Sequence, residues 1–182
     1  MVKYEISMPR QHTGSILAAA LFFLVCHVYA ETPNLGVPAS GELVNELDIT
    51  VLPNGDGLPP GSGNAVVGEK LYMQHCLACH GESGQGGLNN KLVGGHGSLS
   101  SNKPAKTVGS FWPYSTTIFD YIRRAMPYTN PGSLGNDDVY ALTAYILYLN
   151  GIIREKEEMN ARTLPEVAMP NRDNFRQMFK AQ

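Results

Sequence analysis

Cys76-Leu77-Ala78-Cys79-His80 is the stretch that most constrains what this chain can fold into. Two thiols at i and i+3 fall on one side of a single helical turn, and a histidine follows the second directly. Thiols so placed can add to the two vinyl groups on one edge of a porphyrin. The histidine is then held beneath the iron as its proximal ligand. The pattern therefore predicts one covalent haem c, anchored by Cys76 and Cys79 and ligated by His80. A disulfide, a thioredoxin-like redox pair and half of a zinc site use similar spacings. A thioredoxin-like pair needs a βαβ context that the sequence lacks. A structural zinc site needs four ligands, and there is no second close cysteine pair.

The remaining cysteine, Cys26, lies within residues 1–30, whose make-up is that of a secretory signal. Lys3 and Arg10 give a basic start, Ser15 to Val28 is a nearly unbroken apolar run, and Val28-Tyr29-Ala30 offers a cleavage site before Glu31. The run is shorter than the ~20 residues a membrane span requires. Cys26 reads as apolar filler, since Val25 before it is not the small residue that lipid attachment wants. Of the 182 residues, those after Ala30 include 12 basic and 15 acidic side chains. That balance excludes the basic footprint of a nucleic-acid binder. An exported chain with one close cysteine pair is not a disulfide scaffold either.

Periodicity predicts an all-α domain over residues 64–151. It is flanked by an irregular arm over 31–63 and a C-terminal arm over 152–182. The first arm ends in Pro53 to Gly63, almost entirely turn chemistry, though Leu43, Val44, Leu47, Ile49, Val51 and Leu58 are available to pack. Asn64 is placed to cap a helix running to about Leu77. Gly68 within it would cost about 1 kcal/mol relative to alanine, which makes sense if another helix crosses closely there. Residues 81–113 are glycine-rich and aperiodic, a length of loop that suits a chain wrapped around a large prosthetic group. Ser115 is placed to cap a second helix, with Ile118, Ile122 and Ala125 on one face and Pro127 as its stop. A third helix is predicted over 136–150, apolar on nearly every face and too short to span a membrane. Ala141, Ala144 and Tyr145 on it are suited to meet Gly68 and Tyr72. No strand pattern and no internal repeat is visible.

The second axial ligand has several candidates. Met126 follows a helix and precedes Pro127, a context that aims the thioether inward. His96, in Gly94-Gly95-His96-Gly97, is the rival. Met73 lies on the proximal side, His75 is expected to face away from the motif, and Met159, Met169 and Met178 fall in a polar tail without an evident helix. A His/Met iron has no open position, which points to electron transfer and away from a haem sensor or haem enzyme. Arg123 and Arg124 can pair with a haem propionate or with Asp120 one turn away. Trp112 and Tyr114 can line the haem crevice or serve as core.

Beyond the motif, Leu58 to Gly63, Lys106 to Tyr114, Phe119 to Pro127, Tyr140 to Gly151 and Met169 to Asp173 resemble one group of cytochromes. They are similar to the cytochrome subunit of the Sox system's sulfane dehydrogenase and to related cytochromes of sulfite dehydrogenases. The resemblance implies a class I cytochrome c fold, a periplasmic location and Met126 as the distal iron ligand. It also implies a molybdopterin-containing dehydrogenase subunit as electron donor and a downstream cytochrome c as acceptor. The alternative is a freely diffusing carrier for another dehydrogenase or an oxidase. Some members carry a second haem domain, whereas a single C-x-x-C-H here implies one haem.

Overall fold

The computed structural model describes residues 35–176. The secretory-signal reading of residues 1–30, with Cys26, and the candidate Met178 lie outside the described residues. Two units are distinguished, one ending at Asn45 and one beginning at Glu46. Ser40 accepts a hydrogen bond from the Leu43 amide at 3.2 Å and opens helix α1, Gly41–Leu47, which begins in the first unit, ends in the second and carries no buried residue.

The larger unit is built on three helices. Helix α2, Ala65–His75, starts at Asn64, whose extended backbone (φ −133°) leaves its Oδ1 free to accept the Val67 amide at 3.1 Å. That bond satisfies one of the donors left open at a helix start. Cys76 then leaves the helical region (φ −122°, ψ −31°) and a single turn, α3, Leu77–His80, follows. The expected helix to Leu77 thus stops at His75, and the break lies at the first cysteine of the motif. Helix α4 spans Ser115–Ala125 and α5 spans Asn136–Leu149. Ser115 is the first residue of α4 rather than its cap; its hydroxyl donates instead to the Leu164 carbonyl at 2.6 Å.

Helices α2 and α5 cross at Gly68. A Cβ there would collide with the Ala141 carbonyl and crowd Tyr145, so only glycine permits the approach. Tyr72 is fully buried one turn on, its ring centroid 5.2 Å from that of Tyr145. Every residue of α5 from Val139 to Leu147 is buried, as its continuous apolar character predicts. Phe119 of α4 meets Tyr140 of α5 at a centroid distance of 4.4 Å, completing the three-helix core.

Both arms contribute to that core. Val51 from the N-terminal side, and Ile153, Met159, Leu164, Val167 and Met169 from the C-terminal side, are buried in it. A two-stranded antiparallel pair joins them, β1 (Ser62–Gly63) with β2 (Met159–Asn160), in the register Ser62 to Asn160 and Gly63 to Met159. Two-residue strands are too short to show alternation, which is why no strand pattern is visible in the sequence. No described helix is long and apolar enough to cross a membrane.

Candidate haem-binding site

Between α2, α4, α5 and the long loop lies a cavity of about 690 Å³, within the range of cofactor sites. The break at Cys76 turns α3 so that Cys76, Cys79 and His80 all line this cavity. Met126, the residue that ends α4, lines it as well. Its amide still donates to the Ile122 carbonyl at 3.0 Å, while its extended backbone (φ −122°, ψ 145°) carries the chain away from the helix axis. The walls are Leu92, Val108, Ile118, Ile122, Leu142 and Ile146, a low-dielectric surround suited to a porphyrin face.

The loop after the motif folds back over it. The Asn89 amide donates to the Cys79 carbonyl and the Gly86 amide to the His80 carbonyl, each at 2.8 Å. The Nδ1 of His80 lies 2.8 Å from the Asn90 carbonyl oxygen. A carbonyl can only accept, so Nδ1 carries the proton and Nε2 is left with its lone pair for a metal. Further along, Asn150 at the end of α5 clamps the loop. Its Oδ1 accepts from the Gly94 amide at 3.2 Å, and its Nδ2 donates to the carbonyls of Leu92 and Ile146 at 3.3 and 2.9 Å.

Cys76 and Cys79 are free thiols. Burial, and less so the neighbouring Cys79, pushes the Cys76 thiol up to about 11, so it is neutral at physiological pH. Among the described residues no three His, Cys, Asp or Glu side chains converge as a separate metal site. The residues present fit a haem c: two thiols on one side, a histidine with the correct tautomer, a thioether and an apolar slot between.

The other candidates are distributed differently. Trp112 lines the cavity and meets Tyr121 edge-on at 5.7 Å. Tyr114 is not among the lining residues; the Arg172 guanidinium sits over its ring at 5.7 Å. Neither Arg123 nor Arg124 lines the cavity. Arg124 pairs with Asp120 at 2.8 Å. It also adds weakly to the Thr50 hydrogen bonds that hold the Asp48 carboxyl below its usual range. His96 is exposed and borders a separate groove with Phe111 and Asn171. His75, expected to face away from the motif, is at the cavity lining, because α2 ends on it before the turn at Cys76. Lys91 and Lys106 also line the cavity; Lys106 opens one of the stretches that carry the resemblance, but nothing in the sequence marks either as a cavity residue.

Residues 65–150 match the cytochrome c family. The crystal structure of the sulfane dehydrogenase SoxCD from Paracoccus pantotrophus is similar, with a TM-score of 0.74 and 39% sequence identity over 79% of this chain and 71% of that one. The thiosulfate dehydrogenase of Psychrobacter arcticus is 24% identical over 123 residues, 68% of this chain. The chain spans only 34% of that relative's length.

Proposed function

Because this chain belongs to the cytochrome c family, and within it to the Sox and sulfite dehydrogenase type, we propose that it is the monohaem electron-transfer subunit of a molybdopterin-containing dehydrogenase of reduced sulfur compounds. The chain is exported to the periplasm, takes electrons from that partner and hands them to a downstream cytochrome c. The reading rests above all on one observation: Cys76, Cys79, His80 and Met126 line a single apolar cavity.

When bound, the haem supplies a one-electron couple. Cys76 and Cys79 would hold it as thioethers, so that it is not lost outside the cytoplasm. His80 offers Nε2 to the iron, and the Asn90 carbonyl keeps the ring oriented and raises its basicity. Met126, at the same cavity, would offer its thioether to the haem iron, and a methionine ligand raises the reduction potential. With both His80 and Met126 as ligands, no coordination site would stay open, which suits relay over catalysis. The apolar walls exclude water, so little solvent reorganises as charge changes.

The test is made on the exported protein. One haem per chain with saturated vinyl groups is expected in the pyridine haemochrome, and a weak band at about 695 nm in the oxidised form marks Fe–Met bonding. Co-purification with a large molybdopterin subunit, and haem reduction on adding sulfite, sulfane sulfur or thiosulfate, test the partner. A chain that elutes alone and is reduced by none of these in the presence of the molybdoenzyme is a free carrier instead. Carbon monoxide binding by the native reduced protein would sink the Met126 assignment and with it the relay reading.

A further inference from the structure

The cavity has a charge asymmetry that runs against the rest of the chain. The whole protein is net negative, at −2, yet no aspartate or glutamate lines the cavity, and two lysines do: Lys91 and Lys106. They come from loop segments 15 positions apart that are bonded to each other. The Val108 amide donates to the Leu92 carbonyl at 3.2 Å, and the Thr107 hydroxyl donates to the Gly94 carbonyl. Asn150 fixes the first segment to the end of α5 through Leu92 and Gly94. The two lysines are therefore presented at one wall by a braced loop.

Trp112 lines the same cavity. A haem carries two carboxylates opposite an otherwise apolar ring. A slot with thiols, a histidine and a thioether for the ring, and two cations with no competing anion, matches both ends of that molecule.

We propose that Lys91 and Lys106 are the cationic partners of the two haem propionates. The proposal rests on the haem reading above. Lys106 is also positioned from outside: its ammonium lies 4.9 Å from the Phe111 ring centroid, a cation–π distance. Phe111 is in turn held edge-on by Phe175 of the C-terminal arm at 5.4 Å, and its carbonyl accepts from Asn171 at 2.7 Å. Phe111 is thus a positioning residue for a group that neutralises the cofactor.

A cation beside a propionate disfavours the oxidised, more positive haem. Removing it moves the reduction potential down. The experiment is potentiometry on purified holo-protein of Lys91→Gln, Lys106→Gln and the double variant. Lys103→Gln, an exposed lysine absent from the cavity lining, is the control. Each cavity variant is expected to titrate at a lower potential than the parent and the double variant lower still. The arginine versions should hold close to the parent, and the control should not move. Unchanged potentials in both single variants and the double variant overturn the proposal, as does an equal fall in the control. Infrared redox-difference spectra of Lys106→Arg give a second readout, in which the propionate carboxylate band shifts when ammonium is exchanged for guanidinium. A stationary band counts against Lys106. Haem content by pyridine haemochrome is read separately, since a parent protein without haem defeats the haem reading itself.

Discussion

The Nδ1 of His80 lies 2.8 Å from the main-chain oxygen of Asn90, ten residues further along the chain. The bond is to backbone, so the side chain at 90 has no part in it. Asn90→Ala is therefore expected to leave the visible spectrum and iron ligation unchanged. His80→Ala removes the ligand and should abolish the low-spin six-coordinate spectrum. A lost low-spin spectrum in Asn90→Ala would show that the amide, not the carbonyl, governs the histidine.

Met126 ends α4 and lines the cavity. On the proposed reading, Met126→Ala is expected to keep the haem, since Cys76 and Cys79 would hold it. It should lower the reduction potential and admit carbon monoxide or imidazole to the iron. Electronic spectra with and without these ligands check it. An intact band at about 695 nm in the variant would assign the ligand to another residue.

Arg124 and Asp120 form an exposed i,i+4 pair at 2.8 Å, away from the cavity. Exposed pairs of this kind are worth about 0.3–0.5 kcal/mol. Arg124→Ala should cost no more than that in chemical denaturation and leave the reduction potential where it is. A fall in potential matching that of the lysine variants would return Arg124 to the propionates.

The helices were legible because each carries its own period and boundary signals: Asn64 before α2, Asp137 and Asp138 opening α5, Pro127 after α4. Gly68 announced a close helix crossing, since a glycine in a helix interior is costly without one. The buried role of Met159, Leu164 and Met169 was not legible. These anchors are spaced along an irregular arm, and burial there follows the path of the chain rather than a repeat. The wall formed by Lys91 and Lys106 was hidden for a related reason. Loop bonds such as Val108 to Leu92 bring distant positions together without any local signature. Arg123 and Arg124 looked equally apt from sequence, because one-dimensional spacing does not say which helix face meets the cavity.

Gly68 is the tightest point of the α2–α5 crossing. A methyl group there meets the Ala141 carbonyl, which belongs to a buried helix and has little room to yield. Gly68→Ala is expected to destabilise the protein by about 3 kcal/mol, the upper part of the usual overpacking range. Its higher helix propensity returns under 1 kcal/mol. The midpoint of denaturant unfolding, followed by far-ultraviolet circular dichroism on holo-protein, measures this. A neutral or stabilising result would mean that the helices do not touch here.

Leu164 tests whether the C-terminal segment belongs to the core. It is fully buried, and its carbonyl accepts the Ser115 hydroxyl at the start of α4 at 2.6 Å. Leu164→Ala should cost about 2–5 kcal/mol, as expected for removing a buried leucine side chain. Ser115→Ala leaves that carbonyl without its donor and should cost about 1 kcal/mol. The two changes meet at one turn, so their effects should not add, and the double variant measures the coupling. Iron ligation should be unaltered in all three, because none touches the cavity lining. A loss below 1 kcal/mol for Leu164→Ala would separate the arm from the fold and leave α4 to be held by α5 alone.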